Sequence, residues 1–206
     1  MRDNLGLLHI NIRSLRKNFD LLTCFLSSWP CDILCLSETW IYDNESYSLP
    51  GFVFIGAPRQ QRGGGVGIYV SDKYTFTVRD DLAFHVQGSC ESLFIELCDN
   101  MIVGVIYKSP ALNNNCFLVH FEELLSMLCS RKCKSYLCGD FNIDWLNTEA
   151  SFTLKCLLNS YAYRNLVTEP TRVTSVPATL IDYIITTACR EDLSATVIES
   201  YITDHF

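Results

Sequence analysis

The sequence predicts an α/β or α+β domain in which strands and helices pack in layers. Short apolar runs of strand length, rich in β-branched and aromatic residues, alternate along the chain with three segments of helical periodicity. Hydrophobic residues make up 49% of the chain and charged residues 19%, a balance that favours a packed core over disorder. The 206 residues fit one sizeable domain, so we expect a single unit that spans residues 1–206.

Each helical segment carries one apolar face. The first follows Ser14, a residue type that caps helix N-termini, and its apolar face is formed by Leu15, Phe19, Leu22, Leu26 and Trp29. The apolar face of the second segment is formed by Phe117, Phe121, Leu124 and Leu128. The third segment is shorter, and its predicted face consists of Phe152, Cys156 and Leu157.

Nine apolar runs have the length and composition of strands. In chain order they are Leu7–Ile12, Ile33–Leu36, Phe52–Ile55, Val66–Val70, Leu93–Leu97, Ile102–Tyr107, Tyr136–Cys138, Leu180–Thr186 and Ala195–Ile198. The glycine-rich segment Arg62–Gly67 runs directly into the fourth of them. It lacks the GK[ST] of a phosphate loop and opens a strand rather than a helix, so it is interpreted as a turn.

Nothing in the sequence directs the chain to a membrane or out of the cell. No stretch contains the roughly 20 consecutive apolar residues that a membrane span requires, and the N-terminus lacks the features of a signal peptide. The 11 cysteines are odd in number and mostly lie in apolar runs, which indicates buried thiols in a reducing compartment rather than disulfides. We therefore expect an intracellular protein without a membrane partner.

Six short apolar runs, five of them within these strands and the sixth formed by Tyr201-Ile202, deliver polar side chains near their C-terminal ends. These residues are Asn11, Glu38, Tyr107, Asp140 with Asn142, Asp182, and Asp204 with His205. In sheet-based enzymes, ligand sites gather outside the strand ends because the core fixes the strand while its end reaches solvent. One polar residue at a strand end is ordinary, but six such ends with repeated acids favour a single shared site.

The chemistry of this set favours a metal-dependent hydrolase of phosphate esters. Carboxylate and amide oxygens are hard ligands that suit Mg²⁺ or Mn²⁺ rather than zinc. Several acids placed together repel one another unless a cation is bound between them. Such a cation can neutralise the charge that develops on a phosphoryl group, and a histidine held by a carboxylate can assist. The sequence contains no GxSxG motif that would support a serine hydrolase.

Eight motifs in order carry a resemblance to a known family. They are HINIRSLRKN, DILCLSETW, GGGVGIYVSDKY, GVIYKSP, CGDFNID, EPTRVTS, TLIDYI and TDH, and they cover nearly the whole chain. Together they resemble the apurinic-like endonuclease domain of jockey-like non-long-terminal-repeat retrotransposons, within the endonuclease/exonuclease/phosphatase superfamily. The resemblance implies a four-layered sandwich of two mixed β-sheets flanked by helices, with the active site at one end of the sheets.

The resemblance also implies a role for each residue of the predicted site. Glu38 of SETW is expected to be the main metal ligand, assisted by Asn11 of NIRS. Asp140 and Asn142 of GDFN are expected to handle the attacking water and the scissile phosphate. Tyr107 of VIYKSP is expected near the phosphate or the leaving group.

Two further motifs are expected to place a histidine at the phosphate. Asp182 of LIDYI is expected to orient His205, whose imidazole faces the phosphate. Asp204 of TDH is expected either to bind the metal or to hold the site together. The division of labour between Asp140 and His205 stays open at this point.

The substrate implied by the resemblance is double-stranded DNA. Thr174 matches a family threonine that contacts the DNA backbone, Ser175 is its neighbour, and the basic candidates are Arg13, Lys108 and Arg172. The net charge of −7 opposes tight binding to DNA phosphates, so these cations would have to form a local rim. Retrotransposons of this kind nick one strand of chromosomal DNA and leave a 3′-hydroxyl that primes reverse transcription. The resemblance therefore implies a domain of a longer polyprotein that contains a reverse transcriptase and acts in the nucleus.

The chain ends one residue after His205, whereas members of the resembled family continue with a further strand. We therefore expect a domain without its final C-terminal strand, a poorly held histidine and an unprotected sheet edge. Activity should be lower than in a chain extended by about 15–20 residues. Two alternative functions stay open: a phosphatase or phosphodiesterase of the same fold acting on a non-nucleic substrate, and an inactive remnant that serves as an interaction domain.

Overall fold

A computed structural model describes residues 5–42, 45, 47–59, 63–98, 100–173, 178–188 and 193–206. Its helices are α1 (Leu15–Ser28), α2 (Asn114–Arg131) and α3 (Thr148–Ser160). Its longer strands are β1 (Leu7–Asn11), β2 (Ile33–Ser37), β3 (Phe52–Ala57), β4 (Val66–Ser71), β6 (Cys90–Leu97), β7 (Met101–Lys108), β8 (Lys134–Asp140) and β12 (Asp182–Thr186). Four short strands complete the order: β5 (Phe76–Val78), β9 (Arg164–Asn165), β10 (Arg172–Val173) and β11 (Ala178–Thr179).

The longer strands form two mixed sheets. The first sheet has the order β1-β2-β4-β3, with β1 and β2 parallel and the other pairs antiparallel. The second sheet has the order β5-β6-β7-β8-β12-β9, with β7 and β8 parallel. The parallel pairs matter for the site, because their carboxyl ends lie side by side in each sheet.

The core consists of three apolar layers. Side chains of both sheets fill the space between them, including Ile33, Ile68, Val70, Ile95, Val105 and Cys138. Helix α1 covers the outer face of the first sheet, where Leu15 and Leu22 are fully buried. Helices α2 and α3 cover the outer face of the second sheet. This arrangement is the expected four-layered sandwich, which the structure confirms.

Helix α1 begins where the sequence predicts. The Ser14 side chain accepts a hydrogen bond from the backbone N–H of Lys17, so it caps the first turn as expected. The predicted apolar face is wrong at its last position, because Trp29 lies beyond the helix and is 48% exposed. The backbone is no longer helical at Trp29, so the indole ring does not continue the helix face that contacts the sheet.

The predicted face of α3 is wrong at Phe152 and Cys156, which are exposed, whereas Leu157 packs against the core as expected. Ser151, Leu154 and Leu158 are buried against the second sheet, whereas Phe152 is 63% exposed. Both sets have helical spacing, so periodicity alone does not choose between them. Asn147 caps the helix by accepting a hydrogen bond from the N–H of Ala150, and the packing of α3 on the sheet then sets which face is buried.

Some strand and cysteine predictions are also wrong. The run Ala195–Ile198 forms no strand, although two of its residues pack against the core of the second sheet. The short strands β5, β9, β10 and β11 were missed because two or three residues carry no periodicity. Five of the ten described cysteines are exposed, so burial is not the common property of these thiols. No helix in the described residues is long and apolar enough to cross a membrane.

The corrected face of α3 can be tested by truncating one residue of each set. Leu154→Ala should lower the free energy of unfolding by about 2–5 kcal/mol, because it leaves a cavity under a fully packed helix. Phe152→Ala is the matched control and should change it by less than about 0.5 kcal/mol, because that ring is in solvent. Urea unfolding of both variants gives the comparison, and the reverse order would contradict the packing described.

Candidate active site

An asparagine joins the ends of the two sheets. Asn11 Nδ2 donates hydrogen bonds to Glu38 Oε1 and to Asp140 Oδ2, each 2.9 Å long. Asn11 ends β1, Glu38 follows β2 in the same sheet, and Asp140 ends β8 in the other sheet. The structure therefore brings together three residues that lie far apart in the sequence, at the carboxyl ends of the parallel strands.

The GDFN motif places Asp140 in a buried position at this edge. Gly139 has a φ of +146°, and a Cβ there would lie 1.8 Å from the Ile106 carbonyl oxygen, so only glycine fits before the acid. The backbone N–H of Asn142 donates to Asp140 Oδ1 at 3.0 Å. Burial, reinforced by the nearby charge of Asp182, raises the pKa of Asp140 to about 8.

Asp182 and His205 form a buried pair beside Asp140. Asp182 begins β12 directly opposite Asp140 in the antiparallel register. Its Oδ2 accepts a hydrogen bond from Thr171 Oγ1 at 2.7 Å and lies 2.9 Å from His205 Nδ1. Because an ionised carboxylate only accepts, Nδ1 carries the proton and Nε2 is left for another partner. Burial lowers the pKa of His205, but the hydrogen bond and charge of Asp182 outweigh this effect and raise it overall.

The expectation of a poorly held histidine is wrong. His205 is 3% exposed, and its backbone pairs with Arg172 in an isolated antiparallel bridge. The N–H of the next residue, Phe206, donates to the Thr171 carbonyl at 2.6 Å. Backbone hydrogen bonds and burial therefore hold the ring, which the position of a residue along the chain does not reveal.

Tyr107 belongs to the same edge of the second sheet. It lies opposite Asp140 in the parallel pairing of β7 with β8, and it is 5% exposed. Burial, followed by the charges of Glu38 and Asp140, raises the pKa of its phenol. The phenol therefore keeps its proton at neutral pH and can act as a hydrogen-bond donor near the two carboxylates.

Asp204 faces two cations rather than the other acids. Its Oδ1 lies 2.6 Å from an Arg13 guanidinium nitrogen, and its Oδ2 accepts a hydrogen bond from Arg172 Nε at 3.0 Å. Burial would raise the pKa of Asp204, but the Arg172 hydrogen bond and both positive charges lower it overall. Of the two roles expected for Asp204, this geometry favours holding the site together over binding a metal.

The basic residues expected to contact DNA lie in different environments. Arg13 and Arg172 are partly exposed beside Asp204, at the rim of the site. Lys108 is only 1% exposed and its Nζ donates to the Ser109 carbonyl, so its contact with a DNA backbone stays a prediction. Thr174 and Ser175 lie outside the described residues.

The donor set fits a hard divalent cation. Ligand atoms of Asp140, Asp182 and His205 all lie within 4.8 Å of one another, and the three side chains are buried. Asp182 Oδ1 is buried without a hydrogen-bond partner among the described residues. The carboxylate of Glu38 lies close to this group, because Asn11 Nδ2 donates to both Glu38 Oε1 and Asp140 Oδ2. Carboxylates this close together repel one another, and a hard cation that prefers oxygen ligands, such as Mg²⁺ or Mn²⁺, would stabilise them.

Three residues of the site were not found from the sequence. Thr171 holds Asp182 through its hydroxyl, which also accepts from the backbone N–H of Asp182 at 3.0 Å. His9 Nε2 lies 3.1 Å from Ser37 Oγ, and its Nδ1 lies 3.8 Å from Asp182 Oδ1. Two-residue spacing from Asn11 on a strand would have placed His9 on the same face. The third residue, Glu91, accepts two hydrogen bonds from Arg59, and no pattern in the sequence marks it.

His9 should make the fold sensitive to acid. Burial lowers its pKa to about 4 in spite of the nearby Asp182 carboxylate, whereas an unfolded histidine titrates near its usual 6.5. The unfolded state therefore gains the proton first, and the stability contributed by neutral His9 is present above pH 6.5 and lost as pH falls toward 4. The free energy of unfolding of the native protein should fall by about 2 kcal/mol between about pH 7.5 and pH 5 because of His9.

His9→Gln should lack this component, because glutamine does not titrate while it can still bond to Ser37. Urea unfolding of both proteins across this pH range gives the difference. An identical pH dependence of the two stabilities would show that His9 already titrates near its unfolded value.

Comparison with solved structures shows the same fold in several enzymes. The endonuclease domain of TRAS1, a telomere-specific non-LTR retrotransposon, superposes with a TM-score of 0.72 at 14% identity, covering 98% of this chain and 94% of that domain. The AP endonuclease LMAP from Leishmania major gives 0.66 at 12% identity, with coverage of 89% and 79%. The mannosyl-6-phosphatase Bt3783 from Bacteroides thetaiotaomicron gives 0.64 at 14% identity, with coverage of 89% and 85%.

Family comparison is more specific. No curated protein matches the chain by sequence. The model of the endonuclease/exonuclease/phosphatase family matches residues 8–205, a span that begins just before Asn11 and ends at His205. With the four-layered fold and the convergence of the motif acids at one edge, this match shows that the chain belongs to the endonuclease/exonuclease/phosphatase family.

Proposed function

We propose that the protein is a metal-dependent phosphodiesterase that nicks double-stranded DNA. The observation that carries the proposal is the convergence of Asn11, Glu38, Asp140, Asp182 and His205 at one edge of the two sheets. Membership of a family of nucleases and phosphatases supports a hydrolase of phosphate esters. The likeness to the endonuclease domain of TRAS1 supports DNA as the substrate.

Glu38 and Asn11 are the residues that would hold Mg²⁺ or Mn²⁺, with the carboxylate of Asp140 beside them. When bound, a divalent cation supplies a positive charge that stabilises the developing charge on the phosphoryl oxygens. Tyr107 would donate a hydrogen bond to the phosphate from its protonated phenol. Asn142, whose side-chain Nδ2 donates to the Lys108 carbonyl at 2.8 Å, would help to position the same group.

The Asp182–His205 pair would supply the second positive charge of the site. Asp182 fixes the ring through Nδ1 and favours its protonated form, so that Nε2–H can face a phosphate oxygen. Asp140 would accept a proton from the attacking water at one of its carboxylate oxygens. In this proposal Asp140 acts on the attacking water and His205 acts on the phosphate.

The rim of the site is suited to a polyanion. Arg13 and Arg172 remain partly exposed while they contact Asp204, so a phosphate group could approach both guanidinium groups. We extend the proposal to a retrotransposon endonuclease that acts in the nucleus as part of a polyprotein with a reverse transcriptase. The second candidate is a phosphatase or phosphodiesterase for a non-nucleic substrate, which the likeness to a mannosyl-6-phosphatase favours.

Plasmid nicking in Mg²⁺ tests the proposed function directly. Supercoiled DNA should be converted to the nicked circle, and chelation by EDTA should stop the reaction. Glu38→Gln should lower the rate by at least about 100-fold, because it removes the main cation ligand. His205→Ala should lower it by roughly 10²–10⁴-fold, because the charge facing the phosphate is lost. Glu123→Gln, on the exposed surface of α2, is the matched control and should leave the rate unchanged.

Nicking that persists at the native rate in Glu38→Gln would reject this assignment of the site. Failure of the native protein to nick, together with metal-dependent release of phosphate from small esters, would favour the second candidate. Absence of both activities in folded protein would favour the interaction domain without catalysis.

The chemistry of the nick gives a separate prediction. Attack by water with departure of the 3′ oxygen should leave a 3′-hydroxyl on one side and a 5′-phosphate on the other. A DNA polymerase should therefore extend the nicked plasmid without prior phosphatase treatment. Extension that occurs only after removal of a 3′-phosphate would show cleavage of the other phosphodiester bond and contradict a priming role.

A further inference from the structure

The glycine loop (Gly63–Gly65) contacts the turn that carries Glu38. The backbone N–H of Thr39 donates to the Gly65 carbonyl at 3.2 Å, and that of Trp40 donates to the Gly64 carbonyl at 2.9 Å. Glu38 and Trp40 have φ values of +52° and +50°, a left-handed conformation that residues with a Cβ rarely adopt. The turn therefore depends on outside contacts to keep its shape, and the loop supplies two of them.

A buried ion pair holds the glycine loop in turn. Glu91, on β6 of the second sheet, accepts two hydrogen bonds from Arg59, at 2.6 and 2.8 Å. The same carboxylate accepts a third hydrogen bond from the backbone N–H of Gly65 at 3.0 Å. The side chains of Arg59 and Glu91 are 10% and 5% exposed. Because Arg59 follows β3, the pair joins the two sheets beside the site.

The close packing around the ion pair explains the glycines. A Cβ on Gly64 would lie 2.3 Å from the Arg59 guanidinium carbon, and one on Gly65 would lie 2.8 Å from Thr39 Oγ1. Both glycines have positive φ values. The Arg59 guanidinium also lies over the Tyr107 ring, 5.3 Å from its centroid. The Arg59–Glu91 ion pair thus contacts both the glycine loop and the ring of Tyr107.

We infer that the Arg59–Glu91 ion pair and the glycine loop are the positioning unit for Glu38, the carboxylate that would hold the divalent cation. The inference rests on the proposed function of Glu38. The path alternates hydrogen bonds with backbone: Gly65 N–H donates to Glu91, the Gly64 and Gly65 carbonyls accept from the N–H groups of Trp40 and Thr39, and these residues follow Glu38 in the chain. The Trp40 indole N–H adds a hydrogen bond to Glu38 Oε2 at 3.3 Å.

Binding of Mn²⁺ to the whole chain, followed by the electron paramagnetic resonance of the free ion, measures this role without nuclease activity. Glu91→Gln should weaken Mn²⁺ binding by at least about tenfold, the usual effect of losing a group that orients a ligand. Glu96→Gln is the matched control, because it removes the same charge from another ion pair on β6, about 17 Å along the strand. Its Mn²⁺ affinity should stay close to the native value.

Two further variants separate positioning from net charge. Arg59→Lys keeps the charge but loses the planar fork that grips both Glu91 oxygens, and it should also weaken Mn²⁺ binding by at least about tenfold. Gly65→Ala changes no charge and should have the same effect, because its Cβ displaces Thr39. Circular dichroism identifies which variants are folded, and any folded member of the set decides the question.

The outcomes separate this inference from the proposed function. If the native protein binds Mn²⁺ and the folded variants bind it equally well, Glu38 is held without the ion pair and the inference is overturned while the proposed function stands. Equal weakening in Glu96→Gln would also overturn it, because charge rather than position would be the cause. A native protein that binds no Mn²⁺ would overturn both. Selective weakening in the variants around Glu91 supports the inference.

Discussion

The repulsion between buried carboxylates is the constraint on which the rest of the site depends. Asp140 and Asp182 lie opposite each other on adjacent strands, with ligand atoms less than 4.8 Å from one another and almost no contact with solvent. Like charges in such a position raise the pKa of one partner, as seen for Asp140. Each carboxylate is therefore surrounded by donors: Asn11 and the Asn142 N–H for Asp140, and Thr171 and His205 for Asp182.

These donors come from both sheets and from the end of the chain, so the site exists only when the sandwich has closed. Asn11 belongs to the first sheet but bonds to Asp140 of the second. Thr203 Oγ1 donates to the Asn11 carbonyl at 3.0 Å, and the Asp204 carboxylate contacts Arg13. The last residues thus tie the end of β1 to the short strand β10. The arrangement of the site therefore depends on contacts between both sheets and the last residues.

Two buried contacts hold neighbouring parts of the candidate site in place. The buried Arg59–Glu91 pair joins the sheets on the side of Glu38, and Thr171 holds Asp182 on the side of His205. Buried ion pairs contribute little to stability once the cost of desolvation is counted, but they fix geometry. Their placement beside the candidate site agrees with side chains that are held in position before any ligand binds.

The sequence by itself determined the fold class and the inventory of the site. Hydrophobic periodicity located the three helices and eight of the strands, because burial on a sheet or helix face leaves a local repeat. Polar residues at the strand ends and the order of motifs identified Asn11, Glu38, Asp140, Asp182 and His205, because each follows an apolar run. The GDFN motif also included Gly139, but the sequence did not reveal why a glycine is required there, which is the close approach of the Ile106 carbonyl.

Only the tertiary structure decided which partners these residues have. The buried face of α3 depends on how the helix packs, and Leu154 rather than Phe152 proved to be inside. Lys108 is a cation in the sequence but a buried side chain in the fold, and Asp204 faces two arginines rather than the other acids. Glu91 and Thr171 have no local signature, because their roles arise from contacts across sheets and between distant segments. Local sequence records burial and periodicity, whereas such long-range contacts form only when the layers pack together.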